Sequence, residues 1–122
     1  MKDNEVLEIG EQEFGAEVLR STQTALVGFL AGWSKPCQLV EPVLEEVAKD
    51  CDGTARVFKV NVDDNPDLGN IFAIQSVPTL IYFVNGHVSA KIVGMASAKA
   101  ILTKLNSLTS ANTPARDSER SQ

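Results

Sequence analysis

Few side chains here can do chemistry. The chain holds two cysteines, Cys37 and Cys51, and one histidine, His87. Cys37 closes the run Trp33-Ser34-Lys35-Pro36-Cys37. A thiolate attacks disulfides, so Cys37 is the candidate for thiol–disulfide exchange. Ser34 carries a hydroxyl that is barely ionised at neutral pH and has no evident base beside it. It can still serve its neighbour in two ways. As the residue capping a helix it can accept the Cys37 N–H, which is worth about 1 kcal/mol. As a donor it can favour a Cys37 thiolate. Lys35 sets a positive charge beside the thiol and biases the site toward acidic partners, or is simply solvated. Cys37 itself has two readings. In the first turn of a helix the dipole favours an anion and gives a reactive single thiol. Otherwise it is a shielded, inert sulfur.

The rest of the inventory narrows the chemistry. Cys37 and Cys51 lie 14 residues apart. On one helix that is about 21 Å, beyond the roughly 7 Å a disulfide spans. Cys51, near the helix end, is expected to pack. His87 follows an Asn-Gly turn and reads as a solvated hairpin residue. No His, Cys, Asp and Glu spacing forms a metal site, and no cofactor is expected. The net charge of -5 argues against binding a phosphate backbone. No apolar run is long enough for a membrane span, and the start, Met1-Lys2-Asp3-Asn4-Glu5, is polar without a signal-peptide core. The expected location is the cytoplasm.

These residues must be positioned by regular elements. The chain has 122 residues, 43% of them hydrophobic, which suits a single domain with a buried core. Residues 5–9 alternate as a short strand, and 11–20 carry Phe14, Val18 and Leu19 at helical spacing. Residues 24–31 are continuously apolar, as in a strand covered on both faces, with Gly28 an unusual weak point. A helix begins after Ser34, with Pro36 in its first turn and Gly53 as its stop. Its buried stripe is Leu39, Val40, Val43, Leu44 and Val47, and Pro42 should kink it. Strands follow at 55–62 and 79–84, separated by a short helix over 66–72. Asn85-Gly86 marks a hairpin returning through 87–93. Ile101, Leu102, Leu105 and Leu108 line a closing helix over 97–108. Residues 109–122 read as a disordered tail, after a domain spanning 1–108. Alternating strands and helices followed by a hairpin give an α/β fold: a mixed central sheet with helices on both faces.

Several ordered motifs resemble the thioredoxin family over roughly residues 5–108. Trp33-Ser34-Lys35-Pro36-Cys37 resembles the family's Trp-Cys-Gly-Pro-Cys. Phe29, Ala31, Pro42, Val60-Asn61-Val62-Asp63, Asn65-Pro66, Val77-Pro78-Thr79-Leu80, Asn85-Gly86 and Gly94 fall at family spacing. The resemblance implies a thioredoxin fold, a cis proline at Pro78, and a partner groove formed by Trp33, Lys35, Pro36, Val77, Pro78 and Gly94, with Met95 beside it. Val77 would offer its backbone to an extended segment. Two departures stand out. Ser34 occupies the place of the attacking cysteine. Gly28 occupies that of a buried aspartate which relays protons, leaving Lys59 to reach solvent or another carboxylate. A single Cys-to-Ser exchange explains the first and not the second, so together they suggest natural drift.

The resulting expectation is thiol–disulfide exchange through Cys37 alone, assisted by Ser34 and lacking the dithiol cycle. A different expectation is a redox-inactive module that binds peptides or proteins in the groove. Partners would be protein or peptide thiols and disulfides, or glutathione, with no nucleic acid and no membrane. The protein would be a monomer, with a Cys37-linked dimer available on oxidation.

Overall fold

A computed structural model describes residues 5–51 and 53–111. In chain order the elements are β1 (Leu7–Glu8), α1 (Glu11–Phe14) continuing as a π-helical turn (Gly15–Leu19), β2 (Ala25–Leu30), α2 (Lys35–Cys51), β3 (Arg56–Asn61), α3 (Pro66–Ile71), β4 (Thr79–Val84), β5 (His87–Val93) and α4 (Ala98–Ala111). The five strands form one sheet in the order β1-β3-β2-β4-β5. β3 runs parallel to β1 and β2, while β4 and β5 add antiparallel pairs.

A sheet with two covered faces has two cores. On one face Leu26, Leu30, Leu80 and Tyr82 pack with Cys37, Val40, Leu44 and Val47 of α2 and with Ile101 and Leu105 of α4. On the other, Val27, Phe29, Phe58, Val60, Ile81 and Phe83 pack with Phe14, Val18 and Leu68. β2 is buried along its whole length, as its unbroken apolar run requires.

The bounds of two elements and one helix face differ from expectation. β1 is only two residues long. α4 runs to Ala111, past the expected domain end at 108, so residues 109–111 are helical. Residues 112–122 of the expected tail lie outside the described residues. On α2 the buried stripe is Cys37, Val40, Leu44, Val47, Ala48 and Cys51. Leu39, expected inside, is 56% exposed, and Val43 is half-buried. Successive helical residues are about 100° apart, so a stripe centred on Val40 and Leu44 turns Leu39 outward.

The turn between β4 and β5 has Asn85 at φ 52° and Gly86 at φ 80°, the left-handed pair that a two-residue hairpin demands. A Cβ on Gly86 would also run into the Leu19 carbonyl oxygen. Gly86→Ala is therefore expected to cost at least about 2 kcal/mol, read as a lower urea midpoint at unchanged slope.

Tyr82 is fully buried, and its hydroxyl has no partner among the described residues. Burial pushes its pKa up from 10.0 to about 12. The unfolded phenol ionises near 10, so the proton is held more tightly in the folded chain. The stability this contributes is present below pH 10 and is lost as pH rises toward 12. Tyr82→Phe should flatten that alkaline fall and leave neutral stability unchanged or raised by up to about 1 kcal/mol. Urea melts at pH 7 and pH 11 check both.

Candidate functional site

One end of the sheet collects most of the expected site. Phe29 near the end of β2 faces Thr79 at the start of β4. Thr79 in turn faces Val93 at the end of β5. Just beyond, the Gly94 N–H donates to the Pro78 carbonyl oxygen at 2.9 Å. The Val77–Pro78 peptide bond is cis. Val77 is half-buried against the cluster that contains Cys37. The sheet thus brings Val77, Pro78 and Gly94 to the place where β2 hands over to α2.

The handover itself is tightly bonded. The Ser34 N–H donates to the Ala31 carbonyl at 3.2 Å, and the Gln38 N–H to the Ser34 carbonyl at 3.1 Å. The Ser34 hydroxyl oxygen accepts the Cys37 N–H at 3.3 Å, which is the N-cap expected of it. The Gln38 side chain donates to the Gly32 carbonyl at 3.1 Å. Cys37 Sγ accepts the Ala31 N–H at 3.4 Å. The sulfur thus stands in the first turn of the helix with a backbone donor aimed at it.

Accessibility divides the site. Cys37 is 1% exposed and Ser34 5%, so the sulfur and its cap are covered. Trp33 is 72% exposed, and Lys35 and Pro36 are open to solvent. Val93 and Met95 are also exposed at this end of the sheet. The Trp33 indole N–H donates to Asp63 Oδ2 at 3.0 Å. Asp63 is itself placed by a turn in which Asn61 Oδ1 accepts the N–H groups of Asp63 and Asp64, at 2.9 and 3.3 Å. Asp63 was visible in the sequence only as part of a matched strand; its role as anchor of the indole needed the fold.

Gly28 lies in β2 beneath α2. A Cβ there would stand 2.9 Å from Leu44 Cδ1 and 3.3 Å from Leu80 Cδ2. The unusual glycine marks a close approach of helix to sheet, and the space beside it is filled with leucine. Lys59, its register partner in β3, extends instead to Glu41 on α2, with Nζ 3.4 Å from Oε1. Glu41 stands one helical turn after Cys37, a spacing that could have drawn notice. Cys51, at the other end of α2, is free and buried like Cys37. Its pKa is raised, first by burial and then by the neighbouring Asp50. Among the described residues no group of His, Cys, Asp and Glu is arranged to hold a metal ion. No helix among them is long and apolar enough to cross a membrane.

Residues 5–107 match the Thioredoxin family. The chain belongs to the thioredoxin family. Thioredoxin 2 of Chlorobaculum tepidum is 40% identical over 99 residues, covering 81% of this chain and 91% of that protein. The thioredoxin of Acidithiobacillus ferridurans is 40% identical over 98 residues, covering 80% and 90%. Among solved structures, a mutant thioredoxin from Halobacterium salinarum superposes with a TM-score of 0.81 at 32% identity, covering 89% of this chain and 95% of that one. The fold is therefore the thioredoxin fold. Thiol–disulfide redox chemistry is the province of that family, and here one sulfur stands at the thioredoxin motif.

Proposed function

We propose that this thioredoxin acts in thiol–disulfide homeostasis by single-thiol exchange through Cys37. The Ala31 N–H bonded to Cys37 Sγ carries this reading, because it furnishes a place for a sulfur anion. Trp33, Lys35, Pro36, Val77, Pro78 and Gly94 would hold an extended segment of a protein or peptide. The Cys37 thiolate then attacks one sulfur of the partner's disulfide. A mixed disulfide forms and the second partner sulfur leaves as thiolate. No sulfur at position 34 can reverse this from within. An outside thiol of glutathione's class must attack the bound partner's sulfur, returning Cys37 as thiolate. Two free cysteines suit a reducing compartment, the cytoplasm. On oxidation, two copies could join through Cys37.

A second reading is favoured by the burial of Cys37 and Ser34: a groove that binds segments without covalent chemistry. One experiment separates the two. The folded protein is incubated with a disulfide-containing peptide, and adducts are mapped by mass spectrometry. Single-thiol exchange predicts an adduct at Cys37 that dithiothreitol removes, formed faster than the chain unfolds. If Cys37 reacts only at the rate of global unfolding while the peptide still binds Cys37→Ala, the groove alone is the function.

A further inference from the structure

A covered thiol must send its proton somewhere before it can react. Toward the front, Cys37 lies under Ser34, whose oxygen already accepts the Cys37 N–H. On the core side it shares its cluster with Tyr82 and Cys51, whose own protons burial holds on. Lys35 beside it is a cation and offers no acceptor. The third direction passes the Ala31 peptide. That peptide donates its N–H to Cys37 Sγ and also walls an open cleft of about 70 Å³. Glu41 lines the same cleft from α2, one turn beyond Cys37 and on the adjoining face. The cleft has room for a few waters, and polar walls suited to holding them.

The charged groups facing this cleft are Glu8 from β1, Glu41 from α2 and Lys59 from β3; Leu30 at the end of β2 and the following Ala31 and Gly32 do not titrate. Lys59 grips Glu41 at 3.4 Å and holds its carboxylate at the cleft that Ala31 also lines. Glu45, one turn further on, does not line this cleft but a larger cavity with Glu5, Lys49 and Lys59, the lysine lining both. The sheet offers no alternative, since leucine fills the space at Gly28.

We propose that Glu41, held by Lys59, is a positioning residue that accepts the Cys37 proton through water as the thiol attacks, and returns it when the mixed disulfide is resolved. This rests on Cys37 being the sulfur that exchanges. In the attack, the Cys37 S–H bond breaks and its proton passes to Glu41. A Cys37–partner disulfide forms, and the partner's second sulfur leaves with the electron pair of the broken S–S bond.

The test follows release of pyridinethione from dipyridyl disulfide by the folded protein from pH 5.5 to 9.5. Proteins compared are the parent, Glu41→Gln, Glu41→Asp and the control Glu45→Gln, with adducts mapped to Cys37. Loss of a general base typically costs 10²-fold or more, but water can partly replace an exposed one, so Glu41→Gln should be slower by about 10-fold at pH 6–7. It should meet the parent above pH 9, where hydroxide takes over as the base. Glu41→Asp should keep part of the rate, and Glu45→Gln all of it. Superposed profiles for the parent and Glu41→Gln would overturn the role of Glu41 and leave single-thiol exchange standing. A faster Glu41→Gln at pH 6–7 would overturn it too, since the carboxylate would then merely repel a thiolate. No Cys37 adduct in the folded parent even at pH 9.5 would remove the exchange and this role together.

Discussion

Insulin-disulfide reduction by Ser34→Cys is expected to exceed that of the parent by at least about 100-fold, the parent staying close to the rate of the reductant alone. The difference is one of sulfur count. Cys37 can exchange with insulin once and must then wait for an outside thiol to release the product, because the Ser34 hydroxyl cannot displace it. A thiol at position 34 changes this at the chemical level while leaving the backbone almost untouched. It would stand at the N-terminus of α2, where the helix dipole lowers a thiol's pKa. It would be next to the loop of Val77, Pro78 and Gly94 that is positioned to present a partner segment. Attack by that thiol, followed by attack of Cys37 on the mixed disulfide, releases two insulin thiols and leaves an internal disulfide for the reductant to open. Recovery should be partial. The substitution removes the oxygen that caps the Cys37 N–H, a loss of about 1 kcal/mol to the first turn. A turbidity assay with dithiothreitol checks this. A parent protein turning over like a two-thiol thioredoxin would refute the single-sulfur account.

The fold was legible because its signals are local and repeated. The apolar run of β2, the alternation of β3, the Asn85-Gly86 turn and the stripe on α4 each fix an element without help from the others. Leu39 went astray because an apolar residue beside a buried stripe looks like part of it in sequence. Only packing against the sheet decides which turn faces in. The site was legible in its backbone and less so in its electrostatics. Ser34 as a cap follows from residue type, and the structure bears it out. The burial of Cys37 depends on how α2 meets the sheet, which no spacing reveals. Asp63 and Glu41 were missed for a related reason. Trp33 and Asp63 are 30 residues apart, and Glu41 and Lys59 are 18 apart. Such pairs exist only after β3 has come alongside β2. Gly28 was recognised as odd, but the leucines that make it necessary come from α2 and β4.

That last position supports a second large effect. Gly28→Asp is expected to destabilise the chain by about 3–5 kcal/mol at neutral pH, through burial of a charge that the space cannot accommodate. Its Cβ alone would press on Leu44 Cδ1 and Leu80 Cδ2, and the carboxylate would lie further into the same leucine-filled region. Lys59 is across the ladder but committed to Glu41, so the new charge gains no ready partner. Burial without a partner raises the folded-state pKa of the carboxyl above its unfolded value near 4. The folded chain then holds the proton more tightly, so the deficit is smallest below about pH 4 and grows as pH rises through the folded pKa. Urea melts at pH 4.5 and pH 8 should show this growth for Gly28→Asp and not for Gly28→Ala, which adds the Cβ without the charge. Adding Leu44→Ala should cost less in the Gly28→Asp background than alone, because it vacates the space the carboxyl needs. Full stability of Gly28→Asp at pH 8 would mean the leucines yield easily and the sheet still has room for an acid. If they do not yield, the departure at Ser34 is not an isolated exchange. A chain altered only at position 34 would still accept a carboxylate in β2, whereas unyielding leucines at Gly28 would leave no room for one.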